Sequence, residues 1–287
     1  MITKKFFLTL FILVFIAAAV LGTTGCGQKA QAPQQQNNSQ DAGGGRGVQQ
    51  EDTVDKIKKA GKLVLGTSAD YPPFEFHQVT GGKDEIVGFD IDLAKAIAKE
   101  LGVELEIKDI AFESIIPAVL SKTVDLGIAG FTITEERKKS VNFSDPYLEG
   151  GQQIITYKGS GIRSKEDLKG KTIGVQLGTT GEEIAKKIEG AKLKQFDKVD
   201  AAMLDLMNKR VEAVIIDFAV AQAYATNNPD KLELAAETLD DAAKAVVIRK
   251  EDGKLLDVVN KVIKDLKVSG EYDRLVKKWF IDYKPAN

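Results

Sequence analysis

From Lys62 onward, short runs of leucine and β-branched residues alternate with stretches whose apolar positions recur every three or four residues. Leu63-Val64-Leu65 reads as a strand. Ile91, Ala94, Ile97, Ala98 and Leu101 then fall on one stripe of a helix, with Gly102 as a left-handed stop. The pattern predicts a strand over 103–107, a helix over 113–121 and a strand over 125–129. A second series follows: a strand over 172–175, a helix from Thr180, a strand over 192–196, a helix around 201–208 and a strand over 213–216. Strands alternating with helices predict parallel sheets joined by right-handed crossovers. Two such series predict two α/β lobes. The last stretch, 244–280, carries one strand and two helical stripes: Leu255, Val259, Val262 and Leu266, then Tyr272, Leu275, Val276 and Trp279. Periodicity does not assign it to either lobe.

The beginning of the chain follows another pattern. Lys4 and Lys5 precede an apolar run over 6–21 broken only by Thr9. A charged start and an apolar segment shorter than the ~20 residues of a membrane span predict an export signal over 1–25. A retained transmembrane anchor is the alternative. Thr23-Thr24-Gly25-Cys26 resembles the lipobox of bacterial lipoproteins, with Thr23 where leucine is usual; the resemblance implies lipidation of Cys26. Cys26 is the only cysteine, so it reads as an attachment point and cannot form an intrachain disulfide. Residues 26–52 hold a glutamine and asparagine run and Gly43-Gly44-Gly45, without an aromatic residue. Such a segment buries too little apolar surface to offset its ordering entropy, and predicts a flexible tether. The expected location is extracytoplasmic, on the outer face of the cell membrane.

Composition removes several function classes. The net charge of -2 argues against a nucleic-acid binder, which would need a basic face. His77 is the only histidine, which leaves almost no material for a Ser-His-Asp or Cys-His arrangement, and no Cys/His metal cluster exists. Gly170-Lys171-Thr172 ends like a phosphate-binding loop, but Lys165 stands where that loop needs its first glycine. No cofactor is expected.

Polar residues gather instead where strands end, the place where open α/β sheets bind ligands. These segments are Ser68-Ala69-Asp70-Tyr71-Pro72-Pro73-Phe74-Glu75-Phe76, Ala111-Phe112-Glu113-Ser114, 129–137, 176–181 and Asp217. Each residue taken singly has a plain reading: Arg137 as a solvated charge, Asp217 and Thr180 as helix caps, Tyr71 and Phe112 as core aromatics. Together with Val87-Gly88-Phe89-Asp90-Ile91-Asp92, Phe143-Ser144-Asp145-Pro146-Tyr147 and Gly270-Glu271-Tyr272-Asp273, they resemble the polar amino-acid branch of the bacterial solute-binding proteins, family 3. The resemblance covers nearly everything from Lys62 to Phe280.

It implies a two-lobed periplasmic-binding-protein type II fold, each lobe a mostly parallel sheet flanked by helices. The chain would cross twice, near 147–152 and 239–243, giving lobe 1 as 53–147 with 243–287 and lobe 2 as 148–242. The implied function is capture of a free amino acid for the permease of an ABC importer. Arg137 would hold the ligand carboxylate with the backbone N–H groups of Thr132 and Thr180; its planar fork suits a bidentate contact. Asp217 would take the α-ammonium, with the Gly130 carbonyl and the Thr132 hydroxyl as further acceptors. One departure lies in Ala245-Val246-Val247-Ile248-Arg249, where the family usually has Tyr-Gly-Ile-Ala before its basic pair.

Selectivity would rest on the side-chain pocket. Tyr71 and Phe112 would stack on a flat group, with Gln176, Ser68 and Asp70 nearby and Glu75 as the carboxylate for a guanidinium. The combination is most like the arginine-binding members. Glutamine, histidine or lysine are alternatives, as are a cyclohexadienyl-dehydratase-like enzyme and a ligand-sensing domain on the same fold. Glu75 also fits a solvated turn.

Overall fold

The structure is a computed structural model describing residues 51–283, so the expected export signal, Cys26 and nearly all of the tether lie outside the described residues. Among the described residues no helix is long and apolar enough to cross a membrane.

Helix α1 (Thr53–Ala60) starts at Asp52, whose side chain accepts from the Asp55 N–H, and stops at left-handed Gly61. Strand β1 (Lys62–Thr67) leads into a small antiparallel sheet of β2 (Asp70–Tyr71), β3 (Glu75–Thr80) and β4 (Lys83–Val87). Helix α2 (Phe89–Leu101), β5 (Glu104–Asp109), α3 (Phe112–Leu120), β6 (Leu126–Gly127), α4 (Glu135–Lys138) and β7 (Val141–Phe143) follow. Strand β8 (Leu148–Glu149) leads to β9 (Gln152–Tyr157), β10 (Thr172–Gln176), α5 (Thr180–Ala185), β11 (Lys192–Phe196), α6 (Val199–Met207), β12 (Ala213–Asp217), α7 (Phe218–Asn227) and β13 (Leu232–Thr238). Strands β14 (Ala243–Lys244) and β15 (Val247–Arg249), then α8 (Gly253–Ser269) and α9 (Glu271–Val276), complete the order.

Two five-stranded sheets share one plan. In the first, ordered β5-β1-β6-β15-β7, β1 runs parallel to β5 and β6, whereas β15 is antiparallel to β6 and β7. In the second, ordered β11-β10-β12-β9-β13, β10 runs parallel to β11 and β12, and β9 is antiparallel to β12 and β13. The alternation of strands and helices accounts for the three adjacent parallel strands of each sheet and misses β7, β9 and β13 and the reversed direction of β15. Residues 125–129 also form less strand than expected. The strand proper is Leu126–Gly127, with the Asp125 and Ile128 N–H groups also donating to the Val64 and Gly66 carbonyls of β1 at 2.8 and 3.1 Å.

The C-terminal helices join the first sheet: Leu255, Val259, Val262, Leu275 and Trp279 pack in one core with Leu63, Leu65, Ile91, Ile97, Leu126 and Ile248. Each fully buried leucine or isoleucine there stabilises by roughly 1.5–3 kcal/mol before entropy is counted. Packing thus settles what periodicity left open. Between the sheets, β8 and β14 pair antiparallel. Gly151 lies so close to the returning segment between β13 and β14 that a Cβ would sit 1.6 Å from the Asp240 carbonyl oxygen. Tyr71 and Phe74, next to the first sheet, pack with Met203, Val220 and Ala221 of the second. The two sheets are closed on each other.

Candidate ligand cleft

The strand ends of both sheets close around a small cavity lined by Ser68, Tyr71, Glu75, Phe112, Ala129, Gly130, Thr132, Arg137, Gln152, Gln176, Thr179, Thr180 and Asp217. Every ligand residue expected from the sequence lines it except Asp70. Asp70 instead accepts from the Ser68 hydroxyl at 3.0 Å and from the Val199 N–H at the start of α6. It ties the two sheets together outside the cavity. Gln152 and Thr179 were missed. Among the described residues no group of three or more His, Cys, Asp and Glu is placed to hold a metal ion.

Asp217 ends β12 and is buried. Its Oδ2 accepts from the Tyr71 hydroxyl at 2.8 Å, and its Oδ1 from Gln152 Nε2 at 2.5 Å and from Lys244 Nζ. Lys244, 1% exposed, also donates to the Thr132 hydroxyl at 2.8 Å. The Thr132 hydroxyl therefore already accepts from a cation of the protein on one of its two lone pairs. Tyr71 is likewise committed by its hydroxyl, and burial beside Asp217 pushes that phenol well above its ordinary range. Asp217 Oδ2 keeps one acceptor position. A Cβ at Gly130 would lie 3.8 Å from it and 3.4 Å from the Tyr71 ring, so the left-handed glycine keeps this corner open.

Arg137 emerges from α4, where the Thr134 hydroxyl accepts from the Arg137 N–H. Its guanidinium donates to the Thr132 carbonyl at 2.8 Å and, across the cleft, to the Gly178 carbonyl at 3.0 Å. It lies over Phe112 and Phe131, 5.4 and 5.3 Å from their centroids, and these two rings stack at 4.5 Å. Phe112 is thus a seat for Arg137 as well as a wall of the cavity. The reading of Arg137 as a solvated charge falls. Thr180 opens α5 behind Thr179, whose hydroxyl accepts from the Glu182 N–H, and Gln176 Nε2 donates to the Asp197 carbonyl at 3.2 Å.

Glu75 is 1% exposed and not a solvated turn residue. Its Oε2 has no hydrogen-bond partner. Behind it lies Asp90, fully buried in the first turn of α2, a residue noticed in the sequence only as part of a motif. Asp90 Oδ2 accepts from the Gly130 N–H at 2.8 Å and the Tyr147 hydroxyl at 2.9 Å, while Oδ1 is unpartnered. Burial, with Asp90 beside it, pushes the Glu75 carboxyl well above the ordinary carboxylate range, and burial pushes Asp90 up to about 6.

Residues 63–282 match the bacterial extracellular solute-binding proteins, family 3. The chain is 43% identical over 224 residues to the arginine-binding extracellular protein ArtP of Bacillus subtilis, covering 76% of this chain and 86% of that one. The crystal structure of the substrate binding protein of an amino acid ABC transporter is 53% identical, with TM-score 0.73, covering 77% of this chain and 99% of that one. An ancestral arginine-binding protein solved with arginine is 49% identical, and its glutamine-bound form 48%, each with TM-score 0.73 and covering 77% of this chain and 98% of that one. With that match spanning both sheets and the cleft between them, the chain belongs to the bacterial extracellular solute-binding proteins, family 3.

Proposed function

We propose that this chain captures L-arginine in the cleft and delivers it to the permease of an ABC importer. One observation carries the choice of ligand: Glu75 brings a buried carboxyl with an unpartnered oxygen to a cavity whose walls include Tyr71 and Phe112. A guanidinium offers five donors and no acceptor, and its flat faces suit aromatic walls. The ligand carboxylate faces the remaining N–H groups of Arg137 and the first turn of α5. The α-ammonium takes the free position on Asp217 Oδ2 beside the Gly130 carbonyl. Residues 53–147 with 243–287 form one lobe and 148–242 the other, so a ligand touching both favours the closed arrangement that a permease can recognise. The names of ArtP and of the ancestral protein support arginine. Glutamine, seen with that ancestral protein, is the second reading.

Calorimetry with arginine, glutamine, lysine and histidine on wild type and Glu75→Gln tests this. Arginine binds wild type tightest and is recovered unchanged. Glu75→Gln weakens arginine by about 1–3 kcal/mol, roughly 5- to 150-fold, and leaves glutamine within a few-fold of wild type. Tighter binding of glutamine than arginine by wild type overturns the ligand; a chemically altered ligand overturns binding without catalysis.

Residues 1–25 are read as a lipoprotein signal, with Cys26 carrying the acyl chains that hold the protein on the outer membrane face and 26–52 as the tether. One acyl chain anchors only marginally, whereas two or more anchor stably. Labelled fatty acid should enter the wild-type chain and not Cys26→Ser. An unlabelled wild type overturns the anchor.

A further inference from the structure

We propose that Glu75 and Asp90 hold a single proton between them, which leaves when arginine binds and stays when glutamine binds. The inference rests on the reading of the cleft as an arginine site and adds the residue, Asp90, that sets its choice between cationic and neutral side chains.

The chain forces these two carboxyls together. The Phe89 and Asp90 N–H groups donate to the Pro73 and Phe74 carbonyls at 3.1 and 2.9 Å, clamping the start of α2 to the turn that leads into Glu75. Each carboxyl is buried, and this clamp sets the two acids side by side, each acting on the other's ionisation. Their unpartnered oxygens, Glu75 Oε2 and Asp90 Oδ1, have no donor from elsewhere in the protein. Among the described ion pairs, neither carboxyl has a cationic partner.

Other charged groups do not remove the conflict. Asp70 on β2 and Asp217 on β12 add negative charge near Glu75. Tyr71 and Tyr147 are neutral, and Lys244 on β14, which favours ionised Asp90, already pairs with Asp217. Two like charges sharing a buried site cannot both be kept, and the pair titrates as a unit. One proton turns the repulsion into an O–H···O hydrogen bond. The upward displacement of Glu75, with Asp90 at about 6, agrees with one proton on the pair at neutral pH.

Ligand chemistry then determines the fate of that proton. A guanidinium can only donate, so it favours an ionised Glu75, and the acidic O–H gives its proton to solvent. The neutral amide of glutamine brings no charge to offset a second carboxylate and can donate its N–H to the other Glu75 oxygen, so the proton remains between the two acids. Net charge of the acid pair and ligand side chain is then the same in both complexes, one negative charge.

The test is calorimetry of wild type at about pH 7 in two buffers of different ionisation heat, which counts protons exchanged. Arginine should release about one proton more than glutamine. The corresponding linkage raises the arginine Kd about tenfold per pH unit on lowering the pH from about 8 to 6.5, while the glutamine Kd stays nearly flat. His77 also titrates on this scale, but exchange caused by closure alone is common to both ligands and cancels in the difference. Asp90→Asn keeps an oxygen for Gly130 and Tyr147 and places an N–H against Glu75. It should abolish the extra proton release and flatten the arginine pH dependence. Equal proton release by the two ligands on wild type overturns the shared proton, whether or not the variant folds. Failure of arginine to bind at any pH overturns instead the arginine reading on which this rests.

Discussion

Two carboxyls line the same cavity, and their surroundings differ sharply. Asp217 has three protein donors on its two oxygens: Tyr71, Gln152 and the buried Lys244. Glu75 has an oxygen with none and another acid behind it. A buried polar group that is already satisfied gains little from one more partner, whereas an orphaned one carries a desolvation penalty that the right ligand removes. The Asp217 corner therefore suits recognition of groups common to all amino acids. The Glu75 corner penalises every ligand that cannot meet its requirement, which is how a site discriminates.

The largest effect should come from removing the cation that serves the shared part of the ligand. Arg137→Ala deletes a guanidinium seated between Phe112, Phe131 and two carbonyls, which on the proposed reading leaves the ligand carboxylate without its charged partner. Truncating one side of a buried charge pair costs about 2–5 kcal/mol, so binding should fall by roughly 30-fold to several thousand-fold for every amino acid alike. α4 is four residues long and contains no buried side chain, so the fold should survive. Calorimetry with arginine and glutamine checks this. Loss confined to one of them would place Arg137 in the discriminating corner and break the comparison.

How much of this arrangement the sequence discloses depends on the kind of signal. Parallel strands, the α2 stripe and the lining residues Tyr71, Phe112, Arg137, Gln176, Thr180 and Asp217 leave local traces, because period and motif are properties of neighbouring residues. The antiparallel pairings of β9 and β15 with their neighbours do not, since the direction of a pairing is decided by partners far along the chain. Asp70 had the right composition and neighbourhood for the cavity, yet the N–H of Val199, 129 residues away, claims its carboxylate. Asp90 and Lys244 were hidden for the opposite reason. Asp90 reads as an acid in the first turn of a helix, and Lys244 as a charge beside an unusual Ala-Val-Val-Ile segment. Only the approach of β3 to α2, and of β14 to β12, reveals their burial beside other acids.

Lys244 offers the smaller and finer test of the same contrast. Its Nζ lies between Asp217 and the Thr132 hydroxyl, so a ligand ammonium on Asp217 Oδ2 must share that carboxylate with a cation of the protein. Lys244→Met keeps most of the length of the side chain and removes the charge. Without ligand, Asp217 retains the Tyr71 and Gln152 donors but loses its cation, and unfolding in denaturant should show a loss of about 1–3 kcal/mol. With ligand, the ammonium becomes the only cation on Asp217 and no longer faces a like charge. Amino-acid affinity should rise by about tenfold, roughly 1.4 kcal/mol, to a similar extent for arginine and glutamine. The two effects have opposite signs because the ligand replaces what the substitution removed. If Lys244→Met instead weakens both ligands while leaving the empty protein as stable as wild type, Lys244 serves the ligand carboxylate and the Asp217 corner is not self-sufficient. If it changes arginine and glutamine unequally, charge at Lys244 reaches the Glu75–Asp90 pair, and the two corners act as one.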